Sequence, residues 1–179
     1  VLGANDGASG VAVLLELAHQ LSNQMPKIGV DLVFLDGEDM GKSGDLEHFF
    51  NGSRYLAKNI PSPVPKYCIL VDMIGDKDLQ LPVAGKSAEQ APELVDHLWT
   101  EAEILGLQEF KREIGYFVED DHVVLYEEGG IPSVNIIDFR YGTGKVNYWH
   151  TVEDTPDKCS PSSLATVGTL LLHHIYKKK

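Results

Sequence analysis

The stretch VDLVFLDGEDMG, residues 30–41, holds an apolar run, then a glycine turn and two adjacent carboxylates, Glu38 and Asp39. A short apolar run rich in β-branched residues, with glycine soon after it, is typical of a buried central strand, which we predict over residues 28–36. Ligands of open α/β folds bind beyond the carboxyl ends of the strands. The stretch therefore predicts that Glu38 and Asp39 lie at the edge of an active site.

The segments around this stretch alternate between helical and strand patterns. Apolar residues at helical spacing predict a helix over residues ~8–22 and one of ~18 residues within 87–106, with Ser87 as its N-cap and Gly106 past its end. Shorter helices are expected within 42–59 and 121–129, a terminal helix within 161–179, and apolar strands within 66–75 and 132–138. Strands separated by crossover helices indicate an α/β fold with a mainly parallel or mixed central sheet sandwiched between helices.

Composition limits the classes of protein that the chain can belong to. With 43% hydrophobic and 23% charged residues, the 179 residues predict a single globular domain over residues 1–179. A net charge of −12 argues against a nucleic-acid partner, and no apolar run reaches the roughly 20 residues needed to span a membrane. Cys68 and Cys159 are too few for a disulfide scaffold, and whether they pair stays open.

Other residues with metal-binding side chains occur at comparable places along the chain. Asp6 precedes the first helix in GANDGASG, Asp72 ends the strand CILVD, Asp120 and Asp121 open a helix, and His150 follows the last strand. The ends of parallel strands meet on one rim of a sheet, so these side chains should converge. Carboxylates gathered without nearby Lys or Arg repel one another by several kcal/mol unless a cation neutralises them. The pattern therefore predicts a divalent metal ion.

Zinc is the metal that this set of residues favours, because it binds Asp, Glu and His and usually has three protein ligands at catalytic sites. We predict Asp6, Asp39 and His150 as the ligands. Glu38 stays free beside the metal and is the predicted general base and acid.

Each of these residues has a simpler explanation when it is taken alone. Asp6 and the pair Asp120–Asp121 are explained as helix caps, and the pair Glu38–Asp39 as a polar turn. The Trp–His step is explained as an aromatic side chain beside a core histidine. Their joint occurrence, in this order, favours the metal site.

The motifs GANDGASG, LDGEDMG, LVDMIGD, EDDHVVLYEEGGIPSVNI and YWHTVEDTPD resemble, in this order, those of the zinc-exopeptidase superfamily. The resemblance covers residues ~3–175, nearly the whole chain. It implies that Asp6, Asp39 and His150 bind zinc and that Glu38 is the acid and base.

Within the superfamily the chain is most similar to bacterial glutaminyl cyclases of the animal type. The Trp149–His150 step, the paired Asp of EDDH and the GSR of FFNGSRYLA carry this resemblance. It implies a catalytic carboxylate network of Asp72 and Asp120, with Trp149 and Asp121 at the substrate. The implied substrate is the N-terminal Gln of a peptide or protein, converted to pyroglutamate with release of ammonia. One zinc ion and a periplasmic or extracellular location are implied by the same resemblance.

Two departures from the family pattern are visible. The second residue of the acidic pair is Asp39, where many relatives have Glu. The family's N-terminal strands and their His-x-Asp motif are absent, so we expect a natural chain that starts upstream of Val1 and a sheet with an open edge.

Two other functions fit the same motifs. In a zinc aminopeptidase with a pair of metal ions, Asp6 would bridge both ions, Asp72 and an upstream His would hold the second, and Glu38 would activate water. A non-catalytic peptide-binding relative would keep the fold without the metal.

Overall fold

The computed structural model describes residues 1–42, 44 and 46–177. The helices of this part are α1 (Ala8–Asn23), α2 (Asn51–Lys58), α3 (Gly85–Gln90), α4 (Pro92–Leu105), α5 (Asp121–Glu127) and α6 (Pro161–Lys177), with 3₁₀ turns at Leu46–His48 and Pro156–Lys158. The strands are β1 (Cys68–Asp72), β2 (Leu81–Val83), β3 (Phe110–Ile114), β4 (Ser133–Ile137), β5 (Gly142–Thr143) and β6 (Val146–Asn147). Positions 43 and 45 of the predicted segment 42–59, and positions 178 and 179 of the predicted terminal helix, lie outside the described residues.

Parallel strand pairs form the centre of the fold. Strand β1 pairs with β4, so that Asp72 at the end of β1 lies opposite Ile137 at the end of β4. Strands β2 and β3 form a second parallel pair, and β5 and β6 an antiparallel hairpin. Helices connect the strands of both parallel pairs, as strands that run in the same direction require. The predicted α/β architecture is confirmed, and so are the strands predicted within 66–75 and 132–138.

Helix α1 packs against β1 over an apolar core that it shares with α4 and α6. Val13 of α1 and Leu170 of α6 are buried in this core. Gly10 allows the close approach, because a Cβ atom there would lie 2.3 Å from the carbonyl oxygen of Val71 on β1. The loop that carries Asp6 is thereby held near the end of β1. In the part of the chain described, no helix is both long and apolar enough to cross a membrane.

The long helix predicted within 87–106 is in fact two helices, α3 and α4. Pro92 begins α4, and it disfavours helical geometry at Ala91, whose φ and ψ are −142° and 54°. The prediction that Ser87 is an N-cap is wrong, because α3 already starts at Gly85. Its hydroxyl instead accepts a hydrogen bond of 2.9 Å from the backbone N–H of Asn135 on β4.

Residues 28–36 do not form the predicted central strand. No strand among the described residues lies alongside them to pair with their backbone, and the side chains of Val33 and Phe34 are 44% and 52% exposed. The end of the segment is instead fixed by the start of α2. Three N–H groups there donate to the carbonyl oxygens of residues 36–38, in the pairs Gly52–Asp36, Asn51–Gly37 and Phe50–Glu38.

A buried ion-pair network joins α4 to α6. The carboxylate of Glu101, 1% exposed, lies 2.7 Å from Nδ1 of His174. His97 and Lys177 approach its other oxygen at 3.1 and 3.7 Å, and the Tyr67 hydroxyl lies 2.9 Å from Nε2 of His174. Burial alone raises the pKa of Glu101, but the hydrogen bond and charge of His174 hold that pKa below its usual value.

We expect Glu101→Gln to lower the free energy of unfolding by about 3 kcal/mol at neutral pH, because it removes the charge that His174 faces. Since folding lowers the pKa of Glu101, its contribution is complete above the unfolded value of 4.5 and is lost as the pH falls through the folded value. Urea unfolding at neutral and acidic pH measures both effects. Glu103→Gln, at an exposed position of the same helix, is the control, and an equal loss in both variants would contradict this assignment.

Candidate metal and active site

Asp6, Asp39 and His150 converge on one point at the edge of the sheet. Nε2 of His150 lies 3.4 Å from Oδ2 of Asp6 and 3.0 Å from Oδ2 of Asp39. One ligand atom from each residue lies within 4.8 Å of the other two. Ligand atoms of a tetrahedral zinc ion with bonds of 2.0–2.1 Å are about 3.3 Å apart, so these separations fit a single ion.

A second group of possible ligands, His97, Glu101 and His174, differs in its charge balance. There one carboxylate faces two imidazoles and the ammonium of Lys177. Its 2.7 Å contact is a hydrogen-bond distance, shorter than the separation of two ligands on one zinc ion. The network between α4 and α6 is therefore neutralised by its own side chains, whereas the Asp6 group has an excess of negative charge.

Asp6 occupies the loop before α1, but it does not cap the helix. The N-cap is Gly7, which makes no side-chain cap hydrogen bond, and the Asp6 carboxylate instead faces His150. The backbone N–H groups of Asn5 and Asp6 donate to the buried carboxylate of Asp154. The helix-cap explanation of Asp6 is therefore wrong for this structure.

His150 has a left-handed backbone, with a φ of 57°. Its imidazole ring stacks on the indole ring of Trp149, with centroids 4.0 Å apart and planes inclined by 25°. The indole ring in turn contacts Phe139, at 5.1 Å. The aromatic contacts therefore orient the imidazole while its Nε2 remains directed at the two carboxylates.

Glu38, Asp72 and Asp120 lie beside the three predicted metal ligands. Burial, followed by the charge of Asp120, raises the pKa of Glu38 to about 9. Burial and the same neighbour raise the pKa of Asp72 well above its usual value. The pKa of Asp120 rises to about 7, also chiefly through burial, although Asp120 accepts hydrogen bonds of 2.7 Å from the Asp121 N–H and from Asn135 Nδ2. Asp120 is thus both the N-cap of α5 and a residue of the site.

One cavity of about 290 Å³ contains these groups. Six acidic side chains line it, and no described Lys or Arg does; they are Asp6, Glu38, Asp39, Asp72, Glu119 and Asp120. The remaining wall is apolar or aromatic and consists of Tyr116, Phe117, Val118, Ile137, Phe139 and Trp149, with His150 at the edge. Glu119 pairs with Lys86 at 3.2 Å, but the other five carboxylates form no ion pair with a described Lys or Arg. Those five need a bound cation or retained protons, which agrees with the raised pKa values.

Sequence reasoning missed most of the aromatic wall. Tyr116 and Phe117 follow β3, and Phe139 follows β4, which places them beyond the carboxyl ends of parallel strands. Strand β3 was not predicted, because its residues after Phe110 are mostly polar and exposed. The position after a strand is the signal that would have found these aromatic residues.

Asp121 does not line the cavity. It is buried in the first turn of α5. Burial raises its pKa, and a hydrogen bond with Ser53 of α2 offsets this only in part. Arg54, next to Ser53, forms an ion pair with Glu128 and donates to the carbonyl oxygen of Phe49. The GSR motif therefore connects α2 with α5. At this place Asp121 has no direct contact with the cavity in which a substrate would bind.

Comparison with known proteins agrees with this geometry. The model of peptidase family M28 matches residues 1–175. The chain belongs to peptidase family M28. It is therefore a member of an enzyme family that contains zinc-dependent exopeptidases. The chain is also similar to glutaminyl cyclases.

Relatives of this M28 chain include both cyclases and an aminopeptidase. The solved glutaminyl cyclase of Bacteroides thetaiotaomicron, bound to N-acetylhistamine, is 35% identical over 100% of this chain and 64% of its own, with a TM-score of 0.92. A leucine aminopeptidase precursor of the same organism is 34% identical over 100% of this chain and 63% of its own, also with a TM-score of 0.92. The glutaminyl-peptide cyclotransferase of Boiga irregularis is 26% identical over 95% of this chain.

The M28 chain spans only part of these relatives. It covers 54% of the Boiga irregularis protein and 64% of the solved cyclase. That residues 1–179 form a single domain remains a prediction.

We expect His150→Ala to abolish tight zinc binding, because two carboxylates alone leave the ion without its nitrogen ligand. The wild-type chain should retain about one zinc ion after dialysis. Elemental analysis of the dialysed protein measures this, with circular dichroism to confirm folding. His19→Ala, an exposed histidine of α1, is the control. Retention of zinc by the folded His150 variant would contradict the proposed ligand set.

We expect the zinc-free chain to lose stability as the pH rises. Folding raises the pKa of Glu38 from 4.5 to about 9, so its stabilising contribution is complete below 4.5 and is lost as the pH rises to about 9. Urea unfolding in EDTA across this range should show the decline, and zinc should oppose it by binding the folded state. Glu38→Gln should reduce the slope, and an unchanged slope would disprove the role of this carboxyl group.

Proposed function

We propose that this M28 chain is the catalytic part of a zinc-dependent glutaminyl-peptide cyclotransferase, acting on the N-terminal Gln of peptides or proteins. The observation that carries the proposal is the stacking of Trp149 on His150 in the cavity wall. A Trp directly before the predicted metal-binding His is one of the three features by which the sequence resembles cyclases. The similarity to the solved glutaminyl cyclase supports the same assignment.

The two sides of the cavity suit the two parts of the substrate. An N-terminal α-amine is attracted to the acidic side of the cavity, because no described Lys or Arg lines it. The side chain of Gln fits between the aromatic wall and the carboxyl groups of Asp72 and Asp120. Carboxyl groups that keep a proton can donate a hydrogen bond as well as accept one.

In the proposed reaction the α-amine nitrogen forms a bond to the side-chain amide carbon, and the bond from that carbon to its nitrogen breaks. A zinc ion held by Asp6, Asp39 and His150 would supply a Lewis acid for the amide carbonyl. Glu38 takes a proton from the amine as it attacks and passes it to the departing nitrogen, which leaves as ammonia. Asp72 and Asp120 hold the amide nitrogen by hydrogen bonds. Water is not consumed, and the product is a pyroglutamyl N-terminus.

A zinc aminopeptidase is the second candidate. The similarity to the leucine aminopeptidase precursor favours it as a specific observation. In that reaction Glu38 would deprotonate water, and Asp72 would contribute to a second metal site. The intact set Asp6, Asp39 and His150 argues against a non-catalytic relative. A periplasmic or extracellular location remains a prediction from the family resemblance.

The two activities differ in their product, and we expect a peptide that begins with Gln to release ammonia. A coupled assay measures ammonia, and chromatography of the same sample detects free Gln. Free Gln or a new N-terminus without ammonia would contradict the cyclase proposal and support hydrolysis. A count of two tightly bound zinc ions, with one lost in Asp72→Asn, would support hydrolysis as well.

We expect Glu38→Gln to lower kcat by about 10³-fold while zinc stays bound, because the amide keeps the shape of the side chain but cannot accept the proton. Kinetics and elemental analysis of the same preparation test this. Glu47→Gln, an exposed acid of the nearby Leu46–His48 turn, is the control. Unchanged turnover in Glu38→Gln would remove this residue from the proton transfer.

A further inference from the structure

Asp154 is a fully buried carboxylate that lies four residues after His150 and contacts the loop that carries Asp6. Its Oδ1 accepts a hydrogen bond of 2.8 Å from the backbone N–H of Asn5. Its Oδ2 accepts one of 3.2 Å from the backbone N–H of Asp6 itself. One side chain thus ties the segment of one proposed zinc ligand to the backbone of another.

Tyr141 forms a third hydrogen bond with the Asp154 carboxylate. The buried hydroxyl of Tyr141 donates to Oδ1 at 2.7 Å, and the Tyr141 ring packs edge-on against Tyr148. The Asp6 loop is held on its other side as well, because Oδ1 of Asn5 accepts a hydrogen bond of 2.6 Å from the N–H of Gly75. Asp154 therefore belongs to a rigid connection between this loop and the chain after β6.

All three partners of Asp154 are donors, and only a group that accepts at both ends satisfies them. An ionised carboxylate is such a group, whereas an amide has one accepting oxygen and one donating nitrogen. Asn at this position would keep its oxygen toward Asn5 and Tyr141, which share Oδ1. Its NH₂ group would then face the N–H of Asp6, so the lost hydrogen bond falls on the metal-binding residue.

We propose that Asp154 is a positioning residue, which holds Asp6 in place and thereby sets the affinity of the site for zinc. The proposal rests on the zinc site of the proposed function. Groups that orient metal ligands typically change metal affinity by 10–100-fold when they are mutated. The oxygen of Asp6 already lies at the outer end of the range for a shared ion, 3.4 Å from His150, so further displacement weakens the site.

A purely structural role for Asp154 would change stability without a specific effect on zinc. The discriminating measurement is therefore the zinc dissociation constant, determined by chelator competition, together with the melting temperature of the zinc-free protein. Asp154→Asn is the main variant, and Tyr141→Phe removes only the hydrogen bond that the Tyr141 hydroxyl donates to Asp154. Asp157→Asn is the matched control, since this exposed residue of the same segment pairs with Lys158.

We expect Asp154→Asn to weaken zinc binding by about 10–100-fold, Tyr141→Phe by about 3–10-fold, and Asp157→Asn not at all. Excess zinc should restore the activity of Asp154→Asn but not that of His150→Ala. Wild-type affinity in both the Asp154 and Tyr141 variants overturns the positioning role. If Asp154→Asn does not fold, Tyr141→Phe decides by the same criterion.

The same measurements separate this inference from the proposed function. If His150→Ala binds zinc as tightly as the wild type, the zinc site itself fails. If wild-type binding depends on His150 but is indifferent to Asp154 and Tyr141, only the positioning role fails. Whether the enzyme releases ammonia or free Gln affects neither result.

Discussion

The parallel pairing of β1 with β4 is the constraint on which the rest of the site depends. It places the end of β1, with Asp72, beside the end of β4, from which the chain continues to Phe139 and His150. Asn135 in the middle of β4 adds two connections, since its side chain donates to Asp120 and its backbone N–H to Ser87. Strand pairing thus determines which loops meet, and side chains of the same strand fix the carboxylate network.

Electrostatics distinguish the carboxylate of Glu101, between α4 and α6, from the carboxylates of the cavity. Glu101 is surrounded by imidazoles and an ammonium group, and its pKa is lowered overall. Glu38, Asp72 and Asp120 have no such partners among the described residues, and their pKa values are raised. The first arrangement joins two helices. The second has an excess of acidic groups that a dication would neutralise, so metal binding there would be coupled to the stability of the folded state.

Loops held by hydrogen bonds to other segments carry the predicted site residues. The start of α2 binds the backbone of residues 36–38, Asp154 binds the backbone of Asp6, and His150 takes a left-handed conformation beside Trp149. The sequence identified Glu38 correctly as a residue of the cavity although its predicted strand is wrong. The motif marks the chemistry, whereas the means of holding it depends on contacts distant in the chain.

The order and type of its motifs determined, from the sequence alone, the α/β class, the grouping of Asp6, Asp39 and His150 as predicted metal ligands, and the family resemblance. These depend on local patterns, namely helical periodicity, β-branched runs and carboxylates next to glycine. Tertiary structure alone decided that Asp121 faces Ser53 rather than the cavity, that most of the aromatic wall comes from the loops after β3 and β4, and that Asp154 holds Asp6. Such contacts join residues up to 149 positions apart, and the direction of a side chain across that distance follows from packing rather than from local sequence.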